Sequence, residues 1–197
     1  LLSRHMKDCR DLAAEPFDGF LYGVPNWSPY AIFASMNPLL TLVSSGLGYL
    51  GGTVQALGKP GASVIMVTPC PDQWDEVHHA SYPDVWANVL SQTRDPYTIQ
   101  HDFAEHYAHD AAGIEKYRHA WAFHPVHAIM ACYPLRRLKH IGQVIVVGAE
   151  DASIPEHLGF EAVDTVDEAL ERVVARQGSD CRIGYLEQPS APPRIFQ

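Results

Sequence analysis

The sequence lacks several features that mark common protein classes, and each absence narrows the function. No run of about 18 apolar residues occurs, because the longest candidate, 39–50, is interrupted by serines and glycines, so a membrane span is not expected. The formal net charge is −9, and the one basic cluster is Arg136, Arg137 and Lys139, so a nucleic-acid partner is not expected either. No G-x-S-x-G, P-loop, EF-hand or kinase motif is present. These absences favour a small-molecule substrate.

Cysteine is scarce and scattered. Cys9, Cys70, Cys132 and Cys181 form no C-x-x-C pair, so neither a zinc knuckle nor a disulfide framework is predicted. Reduced thiols and the lack of a signal peptide favour a cytoplasmic location. The chain begins with Leu1 rather than methionine, and we expect it to be a piece of a longer protein.

Apolar runs rich in β-branched residues predict strands at 17–24, 62–69, 143–150, 160–163 and 181–188. The second and third runs are apolar throughout, which is typical of parallel strands buried on both faces. Helices are predicted at 29–36, at 53–57 and, from its amphipathic pattern, at 166–176. Strands that alternate with helices predict an α/β fold with an open, mostly parallel sheet flanked by helices.

A helical, histidine-rich insertion is predicted at about 75–132, within a single α/β domain that spans residues 1–197. Its spacing predicts helices near 83–92, 99–109 and 113–132. Most of the eleven histidines of the chain lie in or just beyond this stretch. Histidine titrates near neutrality and is the commonest metal ligand, so the enrichment favours an active site.

The segment "GLGYLG", 46–51, matches the glycine pattern of dinucleotide-binding folds. The acidic residue expected about 20 positions later at a strand end is missing, because Asp72 follows a Pro-Cys-Pro turn. A glycine-rich packing turn is therefore the favoured interpretation, and nucleotide binding is the alternative.

The loop after the second predicted strand, "CPDQWDEVHHASYPDVW", concentrates acids, histidines and aromatic residues. Ligands bind at the carboxyl ends of parallel strands in open α/β sheets, so this loop is a candidate pocket wall. A solvated loop in which one histidine caps the next helix is the alternative.

The segment "FHPVH" places His124 and His127 three residues apart at the head of an apolar run. Two imidazoles at this spacing are compatible with a shared metal, with an acid–base pair or with a substrate contact. A metal signature needs a third ligand at defined spacing, and none follows. A structural role at a break in the long predicted helix remains the alternative.

The segments 17–36, 56–72 and 139–188, taken in this order, resemble the carboxy-terminal domain of the nickel-dependent lactate racemase family. "FDGFLYGVPNWSPYAIFASM" is similar to its strand, glycine-x-proline turn and helix, and "ALGKPGASVIMVTPCPD" is similar to its next turn, apolar strand and cysteine. "KHIGQVIVVGAEDASIPEHLGFEAVDTVDEALERVVARQGSDCRIGYLEQ" is similar to its closing strand, helix and final strand. The resemblance covers about residues 16–187 and indicates a divergent subfamily.

Members of that family have two domains with the active site between them, where a nickel pincer nucleotide takes a hydride from the α-carbon of a 2-hydroxy acid and returns it. The resemblance implies that this chain is the carboxy-terminal half and that the amino-terminal domain of the same protein mainly holds the nickel cofactor. No metal ligand is expected on this chain, and the chain alone is expected to be inactive. Its partners would be that domain and a small-molecule substrate.

The resemblance and the loop positions together give the candidate site residues. The expected catalytic residues are Tyr30, His124 and His127, and the expected substrate-binding residues are Asn26, Trp27, Asn37, His78, His79 and Tyr82.

The family helix that carries tyrosine, glutamine and lysine is only partly matched. Tyr30 matches the tyrosine, but Ala31 and Ser35 stand near the glutamine and lysine positions, and no lysine occurs between Lys7 and Lys59. Without that cation for a carboxylate, we expect a racemase-like or epimerase-like enzyme for a hydroxylated compound other than lactate. The alternatives are a non-catalytic ligand-binding or assembly domain and a metallohydrolase that uses the histidines with Asp75 or Glu76.

Overall fold

The architecture is an open sheet of parallel strands with helices on both faces. The computed structural model describes residues 15–32, 34–49 and 51–186. The strands are β1 (Phe17–Gly23), β2 (Gly58–Val67), β3 (Ile141–Val147), β4 (Glu161–Val163) and β5 (Ile183–Leu186). Their order is β4-β3-β2-β1-β5, and every neighbouring pair is parallel. The predicted α/β class is confirmed, as are all five predicted strands, although residues 187 and 188 of the last prediction lie outside the described part.

Helices connect the strands. They are α1 (Leu39–Tyr49), α2 (Gly51–Leu57), α3 (Tyr82–Asp84, continued by wider turns over Val85–Val89), α4 (Pro96–Ala108), α5 (Ala111–His119), α6 (His127–Ala131), α7 (Ser153–His157) and α8 (Val166–Gln177). Helix α1 consists of π-type turns, and 3-10 turns cover Pro29–Ala31 and Tyr133–Lys139. Within these ranges, no helix combines the length and the apolar character that crossing a bilayer requires.

The central strand β2 separates two apolar layers. Val64 and Met66 point into the larger core, which contains α1, α2 and the apolar sides of α3, α4 and α6, whereas Ile65 packs with α8. Because both faces are covered, the strand reads as a continuous apolar run. The Thr165 hydroxyl caps α8 by accepting the Glu168 N–H, which fixes where this helix begins.

The predicted helix over 29–36 is wrong beyond its first turn; position 33 is outside the described part. Ser28 does act as an N-cap, since its hydroxyl accepts the Tyr30 N–H, but regular turns stop at Ala31. Asn37 then starts α1: its side-chain oxygen accepts the Leu40 N–H and its carbonyl accepts the Thr41 N–H. The helix therefore follows the cap at Asn37, and α1 occupies a segment whose apolar residues show no helical period.

The predicted continuous helix over 113–132 is also wrong. Helix α5 ends at His119, and α6 begins only at His127. Trp121 has a φ of 59°, in the left-handed region that no residue adopts within a right-handed helix, and its side chain is 87% exposed. The alternative, a break beside the two histidines, is the one that the structure contains.

The dinucleotide interpretation of "GLGYLG" fails on its context. The residues before it form helix α1, so no strand leads into the glycines, and Gly46 packs against Met66 of the sheet. A phosphate-binding turn of that type requires a strand–turn–helix unit. These glycines serve close packing of α1 instead.

Candidate functional site

Three loops meet at the carboxyl edge of the sheet. The loop after β1 is joined to β2 by the Val24 N–H, which donates to the Val67 carbonyl at 3.0 Å. The loop after β2 is joined to the loop after β3 by the Glu150 N–H, which donates to the Pro69 carbonyl at 2.8 Å. Because all strands are parallel, their carboxyl ends share this edge, which is where open α/β sheets bind ligands.

A cleft of about 280 Å³ opens between the first two of these loops. We call it the edge cleft; its walls are Asn26, Trp27, Ala31, Ala34, Ser35, Met36, Pro71 and Gln73. The polar groups in it are amides and a hydroxyl, and no described lining residue is charged. Such groups suit hydroxyl and carbonyl groups of a neutral or singly charged small molecule.

Two predicted substrate residues, Asn26 and Trp27, line the edge cleft, and their roles remain predictions. Ser45 fixes this wall, because its hydroxyl donates to the Trp27 carbonyl at 2.9 Å. Ser35 and Gln73 also line the cleft but were missed. The position of Gln73 just after a predicted strand was a usable signal, whereas Ser35 was assigned to a helix that does not form.

His78 is paired with a carboxylate on the loop after β2. The Asp75 Oδ2 lies 2.8 Å from His78 Nδ1, and the other Asp75 oxygen accepts the His78 N–H at 2.9 Å. Burial by itself raises the pKa of the Asp75 carboxyl, but the hydrogen bonds from His78 and Val77 outweigh it and leave this pKa below its usual range. The pairing favours the His78 tautomer with its proton on Nδ1, so that Nε2 is an acceptor.

His79 lies beneath the edge and is 1% exposed. Its Nε2 is 2.7 Å from the Tyr30 carbonyl, so this nitrogen must donate, and its Nδ1 is 3.3 Å from the Asn37 amide nitrogen, so it must accept. One donor and one acceptor define a neutral imidazole. Burial is the main cause that lowers the pKa of His79, which agrees with the neutral form.

His127 belongs to the same buried group. Its Nδ1 accepts the Tyr82 hydroxyl at 2.8 Å, and its ring stacks on Phe123 with centroids 4.6 Å apart and meets Tyr30 edge to face. Burial lowers the pKa of His127 to about 4. We call His79, His127, Tyr82, Phe123 and Tyr30 the buried histidine cluster. The cluster links the loop after β1, which carries Tyr30, and the loop after β2, which carries His79, to His127 on α6.

His124 and His127 have different neighbours. His124 packs edge to face with Tyr117, and its Nδ1 accepts the Val126 N–H at 3.4 Å within its own turn. His127 faces the cluster instead. The two imidazoles are therefore not brought together as a pair, although the proposed catalytic role of each is a separate prediction that the geometry leaves untested.

The positions of the acidic, histidine and cysteine side chains test whether this chain could hold a nickel ion or the metal of a metallohydrolase. Across residues 15–32, 34–49 and 51–186, no group of three or more such side chains is placed to hold a metal ion. Asp75 is hydrogen-bonded to His78, and the Asn37 amide is hydrogen-bonded to His79. The residues described therefore do not fit a nickel centre or the metallohydrolase arrangement.

Three larger clefts lie away from the carboxyl edge, and the smallest of them, of about 380 Å³, lies between α1 and the Tyr133–Lys139 turn. The other two are larger still. One, of about 490 Å³, lies between α3, α4 and α5 in the predicted insertion, and in it the Tyr107 hydroxyl donates to Asp84. The other, of about 460 Å³, lies at the amino edge of the sheet. Size alone favours these, but the edge cleft is the candidate site because it lies where two parallel strands end and two loops converge.

No protein-family model matches the sequence, and no curated protein matches it. Among solved structures, the chain is similar to the lactate racemase apoprotein from Thermoanaerobacterium thermosaccharolyticum, with a TM-score of 0.49 and 16% sequence identity. The match covers 91% of this chain and 36% of that protein, so this chain spans well under half the length of its structural neighbour.

Proposed function

We propose that this chain is the substrate-side domain of a racemase-like or epimerase-like enzyme that acts on a 2-hydroxy acid or a related hydroxylated compound other than lactate. The observation that carries the proposal is the edge cleft, which lies between the loops after β1 and β2 and is lined by amides. The ordered sequence segments that resemble the lactate racemase family supply the reaction class. The cleft supplies a place where a small hydroxylated molecule fits.

The lining determines which end of the substrate this chain would bind. The Asn26 and Gln73 amides each offer a donor and an acceptor, which suits a hydroxyl group. A carboxylate prefers a cation such as arginine or lysine, and the described lining has neither. We therefore assign the hydroxylated part of the substrate to this chain and its carboxylate to the amino-terminal domain.

Racemisation at a hydroxylated carbon by hydride transfer requires a base for the hydroxyl proton. His78 is the best candidate in this chain, because Asp75 holds its Nδ1 and leaves Nε2 free to accept that proton. The side chain of His78 is 29% exposed and its loop also carries Gln73. His127 is a weaker candidate, since its Nδ1 is occupied by Tyr82 and the pKa of the ring is about 4.

The nickel pincer nucleotide of the resembled family would supply the hydride acceptor. The described side chains do not form a set that fits its metal. We therefore assign this cofactor to the amino-terminal domain and assign to this chain only substrate binding and proton transfer.

The test uses the full-length protein, produced together with the enzymes that make the cofactor, and substrates deuterated at the α-carbon. We expect racemisation of a 2-hydroxy acid other than lactate, such as malate or mandelate. Asn26→Ala and Gln73→Ala should each raise KM roughly three- to tenfold by removing one hydrogen bond. Asn88→Ala, which removes an exposed amide on α3 outside the edge cleft, should leave KM unchanged. The proposal is refuted if the full-length protein neither inverts nor binds any 2-hydroxy acid.

A non-catalytic ligand-binding domain is the second candidate. It is favoured by the internal hydrogen bonds of His79 and His127, which engage histidines that were expected to face substrate. His78→Gln separates the two candidates, because it should lower kcat of an enzyme by at least about a hundredfold and should leave pure ligand affinity nearly unchanged. Binding without turnover in the wild-type protein would favour this second candidate.

A further inference from the structure

The cleft at the amino edge of the sheet differs in chemistry from the edge cleft. It lies where β3 and β4 begin, beside the Tyr133–Lys139 turn and the end of α8. Its floor is apolar and includes Leu135, Leu138 and Phe160. Its rim carries three cationic side chains, Arg94, Lys139 and Arg176, in a chain whose formal net charge is −9. We call it the basic cleft.

The two acidic side chains of the basic cleft are already engaged. Glu161 accepts hydrogen bonds from Arg172 at 3.0 Å and from Gln143 at 2.8 Å, so both of its oxygens are engaged, although Arg172 is shared with Glu168. Asp95 caps α4 by accepting the N–H and the hydroxyl of Thr98, and it lies 3.7 Å from the Lys139 ammonium. After these pairs are set aside, the positive charges of Arg94 and Arg176 remain.

Both of these guanidinium groups have N–H donors that bind no acceptor in the described ranges. Arg176 makes no hydrogen bond or ion pair with any residue in the described ranges. Arg94 donates from Nη1 to the Leu158 carbonyl, which leaves its other N–H groups free. An arginine presents five N–H donors in a planar fork that matches the oxygens of phosphate.

Two glycines lie beside the arginines of the cleft. A Cβ at Gly159 would collide with Arg94 Nη1, whereas a Cβ at Gly142 would meet the Gly61 carbonyl oxygen at 2.5 Å as well as Arg176 Nη2 at 3.0 Å. Each guanidinium group therefore lies directly over a residue without a side chain. An anion between the two groups would meet donors on both sides and an apolar surface beneath.

We propose that the basic cleft binds a small organic phosphate, with its phosphate between Arg94 and Arg176 and its apolar part on Leu135, Leu138 and Phe160. A phosphate monoester carries a charge of about −1.5 to −2 near neutral pH, which matches two unpaired guanidinium groups. The part of the apolar floor that is still exposed, chiefly the half-buried Leu138, favours an organic ester over inorganic phosphate, because covering it removes apolar surface from water. The site lies at the opposite edge from the edge cleft and does not depend on the proposed function.

The test is an NMR titration of the ¹⁵N-labelled 197-residue chain with phenyl phosphate, inorganic phosphate, benzoate and phenol at fixed ionic strength. We expect saturable shifts of the Gly142 and Gly159 amides with phenyl phosphate, weaker binding of inorganic phosphate and no saturation with phenol. Arg176→Ala should raise the Kd for phenyl phosphate at least about fivefold, since a charge-assisted pair to a dianion is lost. Arg176→Lys should restore part of the affinity.

Arg118→Ala is the matched control, because Arg118 is an exposed arginine on α5 outside the basic cleft. It should leave the Kd unchanged. The proposal is overturned if phenyl phosphate causes no saturable shift at Gly142 and Gly159, or if Arg118→Ala weakens binding as much as Arg176→Ala. Benzoate that binds as tightly as phenyl phosphate would overturn the assignment to a phosphate. Arg176→Ala breaks no described hydrogen bond or ion pair, so away from Gly142 its spectrum should match the wild-type spectrum without ligand.

Discussion

The two edges of the sheet use polar side chains in opposite ways. Beneath the carboxyl edge, His79 is 1% exposed and both of its ring nitrogens are bound, to the Tyr30 carbonyl and the Asn37 amide. At the amino edge, the side chains of Arg94 and Arg176 are exposed and keep free donors. Buried hydrogen bonds are costly to break, whereas exposed charges contribute little to folding. Substitutions should therefore change stability at the first edge and ligand binding at the second.

The largest expected effect is that of His79→Ala. We expect the free energy of unfolding to fall by about 3 kcal/mol, because the change leaves a cavity and removes the partners of two buried polar groups. Urea unfolding followed by circular dichroism measures it. His109→Ala, at an exposed position on the same structural layer, should change stability by less than about 0.5 kcal/mol. Equal effects of the two substitutions would contradict the comparison.

A pH dependence of stability should accompany the buried histidines. Burial lowers the pKa of His127 from 6.5 to about 4, so between these values the unfolded chain binds a proton that the folded chain does not. Stability should therefore fall as the pH falls, by about 2 kcal/mol between pH 7 and pH 5 from this group. His79, whose pKa is also lowered, contributes with the same sign.

Urea midpoints at the two pH values measure this dependence. His127→Gln should remove much of it, because the side chain that resists protonation is gone. The interpretation fails if the wild-type protein is equally stable at pH 7 and pH 5.

Tyr82→Phe should have a smaller effect, a loss of about 1 kcal/mol in unfolding free energy, because one buried hydrogen bond to His127 disappears while the ring remains. The same substitution should raise the pKa of His127, since the donor that stabilises its neutral form is lost. NMR titration of the imidazole resonances measures the second effect. Tyr97→Phe, at an exposed tyrosine on α4, is the control and should change neither quantity.

The smallest effect on folding should be that of Arg176→Ala, at less than about 0.5 kcal/mol, because an exposed charge without a described partner contributes little. The same urea unfolding assay measures it. A loss comparable to that of Tyr82→Phe would show that the amino edge also depends on its cations for folding, and the contrast between the two edges would no longer hold.

Much of the fold was predictable from local signals. The strands appear as β-branched runs, and α8 appears as an amphipathic pattern. Helix α1 was not predictable in this way, because it is buried on all sides, serines included, and its apolar residues therefore show no helical period. The break after α5 was suggested only as an alternative, since a left-handed residue at Trp121 has no sequence signal.

The candidate site was predictable in part. Asn26 and Trp27 were expected at the substrate on the strength of the family resemblance, and they line the edge cleft, whereas the carboxyl-end rule was applied to the loop after the second strand. The rule does not tell which loop side chains face a cleft and which turn inward. Asn37, expected at the substrate, instead caps α1 and binds His79, because the burial of that histidine requires a donor for Nδ1.

The sequence by itself determined the strands, the parallel sheet and the edge at which loop residues gather. These features depend on composition and on the spacing of apolar residues over a few positions. Only the tertiary structure decided the states of the histidines and the character of the two edges. His127 and Tyr82 are 45 positions apart and form a hydrogen bond, and Arg94 and Arg176, farther apart still, line the same cleft. Burial, hydrogen-bond satisfaction and unpaired charge are properties of such long-range neighbours, and no local pattern encodes them.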